Sequence, residues 1–160
     1  MENLDELKKK YNELGEEIKR LENKEKIKRW RANHEKDYYY IDEDGTINSI
    51  YEDNDICDNY HYKVRNYFKT KEEAQRHLEN INTYYDLMDL AEELNNGEKI
   101  DWNNDEQEKY YISYDDNINE LYTDYTTHYI SLGNIYCLDK NFFDKAYEKI
   151  GPMKLERLFF

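Results

Sequence analysis

Two stretches of this chain repeat the same tyrosine-rich and acidic phrase. Residues 39–48 read YYIDEDGTIN, and residues 110–119 read YYISYDDNIN. Their carboxylates offer two kinds of chemistry, ligation of a hard cation such as Ca²⁺ or electrostatic attraction of a basic partner. If Gly45 is placed at the sixth position of an EF-hand loop, Tyr40 and Tyr51 fall at the first and twelfth, where carboxylates are required. The pattern therefore favours acidic hairpin turns over a calcium site.

The histidines and cysteines form no recognised catalytic or metal-binding motif. The four histidines are His34, His61, His77 and His128. Two of them, His61 and His128, occupy near-corresponding positions of the repeat, so a shared general base is the enzymatic alternative. No nucleophile motif or phosphate-binding glycine loop accompanies them, and Cys57 and Cys137 lack the spacing of a zinc site. We therefore predict a protein that is not an enzyme and that needs no cofactor or metal.

The charge of the chain is strongly negative and unevenly distributed. The net charge is −14, yet residues 1–36 contain 11 of the 23 basic residues and only 9 of the 37 acidic ones. Such an acidic body repels nucleic acids and anionic membranes within a Debye length of about 8–10 Å. Tyrosines on a sheet can stack on bases, but nucleic-acid modules surround such rings with Lys and Arg. The composition therefore predicts a basic protein partner, with no direct binding to nucleic acid or membrane.

Residues 1–26 have the pattern of a short coiled-coil helix. Apolar side chains recur at alternating spacings of three and four, which predicts a narrow stripe on one helix face: Leu4, Leu7, Tyr11, Leu14, Ile18 and Leu21. Such a stripe must be buried, either against a second copy or against the rest of the chain. We favour pairing with a second copy, which would make the protein a homodimer. Residues 27–37 follow as a basic linker.

Residues 38–160 predict an α+β body built from two β-β-β-α repeats, 38–97 and 108–151, and a helical tail. Each repeat begins with a hairpin, and a third strand is predicted at residues 58–68 and again at 127–138. The helices that follow begin at Thr70 and Asp139 and end at glycines 97 and 151. Antiparallel sheet covered by helices is the expected fold class. The buried face predicted for the first of these helices is Ala74, Leu78, Ile81, Tyr85, Met88 and Leu94.

The acidic turns are the candidate binding site. A pseudo-twofold between the repeats would place both hairpin tips on one rim, where rows of carboxylates resemble the phosphates of a duplex. The predicted partner-binding residues are Asp42, Glu43, Asp44, Glu52, Asp53, Asp55, Asp105, Glu106, Glu108, Asp115 and Asp116. The alternative is that these acids only keep a tyrosine-rich sheet soluble.

The stretches YYYIDEDGTI, NYFKTKEEAQ, DWNNDEQEKYYISYD and GNIYCLDKNFFDKA resemble small accessory proteins of phages and prophages in low-GC bacteria. The resemblance covers nearly the whole chain. It implies a mobile-element origin, and small acidic proteins of that origin often antagonise host defence, as anti-CRISPR and anti-restriction proteins do. It implies no catalytic residue.

These observations predict an inhibitor of a host defence complex that blocks a basic channel or interface. A phage scaffolding protein is the first alternative. A binder of a nucleotide signal is the second, with Lys63, Arg65 and Lys69 as the local cations. No apolar run reaches the roughly 20 residues that span a bilayer, and no signal peptide is evident, so we expect a cytoplasmic location.

Overall fold

The computed structural model describes residues 4–27 and 29–159, with the backbone alone at residues 5 and 21–27. Within these residues the elements follow in the order α1 (Leu4–Ile27), β1 (Asp37–Ile41), β2 (Ile47–Tyr51), α2 (Ile56–Lys63), α3 (Lys71–Asn95), β3 (Lys109–Asp115), β4 (Glu120–Thr126), α4 (Phe142–Lys149) and α5 (Pro152–Phe159). The predicted mixture of helices with antiparallel sheet is confirmed. None of the described helices has an apolar stretch long enough to cross a membrane.

The chain forms two compact units. The first comprises the chain up to Tyr40 together with Ser49–Lys69, and the second comprises Ile41–Asn48 together with the chain from Thr70 onwards. The turn of the β1–β2 hairpin therefore belongs to the same unit as the whole β3–β4 hairpin.

The second unit has a core of aliphatic and aromatic side chains. Helix α4 packs on both β3 and β4, and α3, α4 and α5 pack on one another. The buried members of this core are Leu87, Leu90, Ala91, Ile112, Cys137, Phe142, Ala146 and Leu155. Because a two-stranded hairpin is marginal in water by itself, these helices supply the apolar burial that stabilises it.

The first unit has a smaller core, which is mostly aromatic. Tyr38 and Tyr67 stack with their ring centroids 3.8 Å apart and their planes inclined by 12°. The ring of Tyr62 contacts Tyr67 edge-on at 5.4 Å, and Ala32 is buried beside them. Each buried ring removes about 150–250 Å² from water, so a few tyrosines stabilise a unit whose larger aliphatic side chains are mostly exposed.

Both predicted hairpins are confirmed, and local signals account for their turns. In the first, Asp42 N donates to Thr46 O at 2.8 Å, and Gly45 adopts a φ of 83° that disfavours residues with a Cβ. In the second, Asn119 takes the left-handed position with a φ of 59°. Asparagine tolerates this conformation better than other residues with side chains.

The predicted third strands are wrong. Residues 56–63 form α2 because Asp55 and Asp58 make a capping box, in which Asp58 N donates to Asp55 Oδ1 at 2.8 Å. In the second repeat, residues 127–138 are mostly irregular, with a turn at residues 132–133. What remains of each third strand is one isolated bridge, Tyr39 with Phe68 and Tyr110 with Cys137.

The residues of α3 that are buried in the core also differ from the prediction. Thr83, Leu87, Leu90 and Ala91 are buried with Ala74. The predicted core residues Ile81, Tyr85 and Met88 are instead exposed by 38–58%. Helix α3 therefore carries two apolar stripes, and packing against α4 and α5 buries only one of them. Its ends agree with the prediction, since Thr70 Oγ1 caps the Glu73 amide at 3.2 Å and Gly97 follows the last turn with a φ of 81°.

Helix α1 is confirmed, and its apolar stripe is exposed. The stripe residues Leu4, Leu7, Tyr11, Leu14 and Ile18 are between 48% and 81% exposed. The side chain of Leu21 lies outside the described residues. In the described part of α1, this stripe is therefore not buried against the rest of the same chain, which was the alternative to pairing with a second copy.

Helix α5 offers a matched test of the second core. Leu155 is 0% exposed and Met153, on the same helix, is 74% exposed. We expect Leu155→Ala to lower the free energy of unfolding by about 2–5 kcal/mol, because it removes apolar contacts and leaves a cavity. Met153→Ala should change it by less than about 0.5 kcal/mol. Urea unfolding followed by circular dichroism measures both, and equal effects would contradict this account of the core.

Candidate functional site

The turn of the first hairpin presents three exposed carboxylates, Asp42, Glu43 and Asp44. Two of them accept local hydrogen bonds, Asp42 Oδ1 from the Glu43 amide at 2.7 Å and Asp44 Oδ1 from the Thr46 amide at 2.9 Å. The hydrogen bonds from Thr46 hold the pKa of the Asp44 carboxyl below its usual value. The Asp44 carboxyl is therefore ionised at neutral pH, and local hydrogen bonds hold the turn around it.

The turn of the second hairpin repeats this arrangement. Asp115 Oδ1 accepts from the backbone amide of Asn117 at 2.8 Å and from its side-chain amide at 3.0 Å. These bonds lower the pKa of the Asp115 carboxyl. Asp115 is half-buried, and the next residue, Asp116, is exposed. Both predicted hairpin tips are thus anionic turns with preformed geometry.

A third acidic segment precedes β3. Asp105, Glu106 and Glu108 are exposed. Lys109 is the one basic residue in residues 100–126, and it is completely buried. Its Nζ donates to the carbonyl oxygens of Asn104 at 2.7 Å and Thr127 at 2.8 Å. The nearest cation in sequence is therefore held by backbone carbonyls and forms no ion pair with these acids.

We call these three segments the acidic loops: Asp42, Glu43, Asp44, Asp105, Glu106, Glu108, Asp115 and Asp116. All eight residues belong to the second unit. In the described part of the chain, the carboxylates in ion pairs with Lys or Arg include Glu13, Glu52, Glu79, Asp86, Glu93 and Asp139. The acidic loops supply none of them.

Glu52, another predicted partner-binding residue, does not face solvent. Its side chain is only 1% exposed. Arg31 holds it through two bonds of 2.8 Å, Nε to Oε2 and Nη2 to Oε1. The hydroxyl of Tyr67 donates to Oε2 at 2.6 Å, and the Asn54 amide donates to Oε1 at 2.9 Å. Glu52 is therefore a structural anion of the first unit and cannot bind a partner in this conformation.

Asp53 and Asp55, the remaining predicted binding residues, are exposed in the first unit near the start of α2. With the buried Asp58 they place one carboxylate oxygen each within 4.8 Å of one another. The Asp58 carboxylate accepts from the amides of Asp53 and Asp55 at 2.9 and 3.2 Å. Among the described residues, this is the one group of carboxylates close enough together to hold a metal ion. Hydrogen bonds of the loop and the helix cap account for the closeness of its carboxylates.

The two histidines compared in the sequence have separate surroundings. His61 Nδ1 lies 2.9 Å from Tyr38 Oη, and the Tyr38 hydroxyl donates to Asp58 Oδ1 at 2.8 Å. Because a phenol has one proton to donate, His61 must donate from Nδ1 to Tyr38. Burial, with the contact to Asp58, raises the pKa of Tyr38. His128 Nδ1 lies 2.7 Å from Thr127 Oγ1.

The sequence did not predict the residues that bind the Glu52 carboxylate. Arg31 lies in the stretch interpreted as a basic linker, and Tyr67 lies in the segment interpreted as a third strand. The available signal was Arg31 itself, between Trp30 and Ala32, since arginine is the favoured cation for buried ion pairs. Comparison of the chain with protein-family models, with curated proteins and with solved structures found no significant match.

The Glu52 interactions predict a specific pH dependence of stability. The hydrogen bonds from Arg31 hold the pKa of the Glu52 carboxyl below its ordinary value of 4.5, and Tyr67 adds to the effect. A carboxyl whose pKa is lower in the folded state contributes stability above its unfolded pKa and loses it as the pH falls through the folded pKa.

We therefore expect Glu52→Gln to lower the free energy of unfolding at pH 7 by about 1.5–3 kcal/mol. Between about pH 6 and about pH 3 the variant should lose less stability than the wild type does, because one titrating carboxyl is gone. The control is Glu43→Gln, in the exposed first turn, which should follow the wild-type curve. Parallel curves for wild type and Glu52→Gln would contradict this role.

Proposed function

We propose that the protein inhibits a host defence complex, of the anti-CRISPR or anti-restriction kind, without catalysing a reaction. The acidic loops would occupy a basic nucleic-acid channel or subunit interface of the target. The observation that carries this proposal is the separation of charge in the second unit. Eight acidic residues lie at its hairpin turns and just before β3, while Lys109, the one basic residue in residues 100–126, is buried.

The arrangement suits a rigid mimic of a nucleic-acid backbone. Hydrogen bonds within the two hairpin turns hold the carboxylates of Asp42, Asp44 and Asp115 before binding, so little conformational entropy is lost there on association. A channel that normally binds phosphates is lined by Lys and Arg side chains, and an anionic protein that enters it gains from the same electrostatic attraction. Long-range attraction of this kind raises association rates by about 10–10³-fold at low salt.

The choice of a defence complex as the target rests on the resemblance of the sequence to phage accessory proteins. The alternative of a nucleotide-signal binder has less support from the second unit. A groove of about 650 Å³ in this unit is lined by Asp89, Glu92 and Glu98 but by a single cation, Lys99. An anionic nucleotide would be repelled there.

Charge reversal tests the proposal. A variant with Asp42, Glu43, Asp44, Asp115 and Asp116 all changed to Lys should lose inhibition, and its association rate with the target should fall by about 10–10³-fold. The assay is the plating efficiency of a phage that is targeted by a CRISPR or restriction system, in cells that express the chain. Circular dichroism checks that the variant remains folded.

The matched control reverses five exposed acids elsewhere, Asp37, Glu72, Asp144, Glu148 and Glu156. It has the same net charge as the first variant, so it separates the position of the acids from the total charge. We expect this control to keep inhibition. Equal loss in both variants would sink the loop mechanism. A chain that leaves every defence system active and co-purifies with virion proteins would favour the scaffolding alternative.

We further propose that α1 pairs with α1 of a second copy. Five stripe residues are at least about half exposed, and the heptad spacing lets two such helices interdigitate along one seam. A dimer would double the number of acidic loops presented to the target and so increase avidity.

A single charge placed in the seam tests this pairing. Leu14→Glu should convert a dimer into a monomer, because pairing would bury an unpaired carboxylate between the helices. The mass measured by light scattering should then be halved. Asn12→Glu adds the same charge on α1 outside the stripe and should leave the dimer intact. Removal of residues 1–26 should also give a monomer. A wild-type chain that is already monomeric would refute the pairing.

A further inference from the structure

The second unit contains an open groove that the acidic loops do not use. Its volume is about 650 Å³, within the range of about 300–1,000 Å³ that is usual for ligand sites. One wall is the C-terminal half of α3, and the other walls come from residues 97–102 and 130–136. All of these segments belong to the same compact unit.

Part of the apolar lining of the groove comes from the second stripe of α3. Tyr85 and Met88 both line it, and they are 58% and 44% exposed although the sequence pattern marks them as core residues. The core of the second unit is complete without them, because the other stripe of α3 packs against α4 and α5. Two large apolar side chains are therefore left on the surface at a concave site, which is typical of a binding surface.

Aromatic rings and carboxylates converge on this groove. The indole of Trp102 contacts the ring of Tyr136 edge-on, with centroids 5.0 Å apart, so both rings have fixed orientations. Asp89, Glu92 and Glu98 supply carboxylates, and Lys99 is the only cation in the lining. Aromatic faces attract cations, and guanidinium groups also pair with carboxylates through two parallel hydrogen bonds.

We infer that the groove binds an arginine side chain of a protein partner together with an apolar residue beside it. The guanidinium would lie among the carboxylates of Asp89 and Glu92 and stack on an aromatic ring, and the apolar neighbour would contact Met88. Arginine suits the site better than lysine because its flat group stacks on rings and pairs with carboxylates at the same time. This site differs from the acidic loops in residues and in chemistry, since it combines apolar contact with charge.

The two tryptophans make a direct measurement possible. Trp30 lies in the first unit and Trp102 lines the groove, so Trp30→Phe leaves Trp102 as the only indole of the full-length chain. In this background we expect the peptide acetyl-Leu-Arg-Leu-amide to change the fluorescence of Trp102 in a saturable manner. The same peptide with citrulline in place of arginine has nearly the same shape but no charge, and should bind at least about tenfold more weakly.

A pair of matched variants ties the binding to the groove. Asp89→Asn should reduce the affinity for the arginine peptide toward that for the citrulline peptide. Asp86→Asn removes the same charge one turn earlier on α3, where Asp86 pairs with Lys154 at 3.6 Å, and should leave the affinity unchanged. Retention of the arginine preference in Asp89→Asn would overturn the inference.

Two further outcomes would also overturn it. One is equal binding of the arginine and citrulline peptides, or no binding of either. The other is binding of free agmatine as tightly as the peptide, since the site would then recognise a small amine and not a protein segment. The acidic loops are intact in all of these variants, so the groove and the proposed inhibition can fail independently.

Discussion

In each unit, one pair of backbone hydrogen bonds joins the hairpin to the segment that precedes the next helix. The backbones of Tyr39 and Phe68 make two reciprocal N–H···O=C hydrogen bonds of 2.9 and 2.8 Å. Tyr110 and Cys137 make the same two bonds at 2.7 and 2.8 Å. These positions correspond in the sequence repeat. A hairpin alone is marginal in water, so the bridge to a third backbone segment is the constraint on which each unit depends. In both units, the tyrosine just before the second bridging residue packs on a tyrosine of the hairpin.

The placement of cations separates structural carboxylates from those on the surface. Arg31 binds the buried carboxylate of Glu52, and Lys109 is buried against two carbonyl oxygens. Both cations are thereby used inside their units. Desolvating a charge is costly unless it has such partners, which explains why each is surrounded by acceptors. The exposed loops consequently keep the net negative charge that the composition shows.

The sequence predicted local elements better than their packing. Helix α1, both hairpins and the ends of α3 follow from heptad spacing, turn residues and capping residues, all of which act over a few positions. The interpretation of residues 58–68 as a strand was wrong. It relied on the alternating aromatic residues and overlooked the capping box that Asp55 makes with the buried Asp58, which starts a helix. A tyrosine-rich segment fits either a strand or a short helix, and the cap decided between them.

For the candidate site, the sequence by itself determined that acidic turns would interrupt two tyrosine-rich hairpins. The residues of each turn make their own hydrogen bonds, so distant contacts are not needed. Only the tertiary structure decided which acids stay exposed and which apolar stripe of α3 is buried. Glu52 is removed from the surface by Arg31 and Tyr67, which are 21 and 15 positions away. Burial depends on what packs against a side chain, and the partners that settle it are remote in sequence.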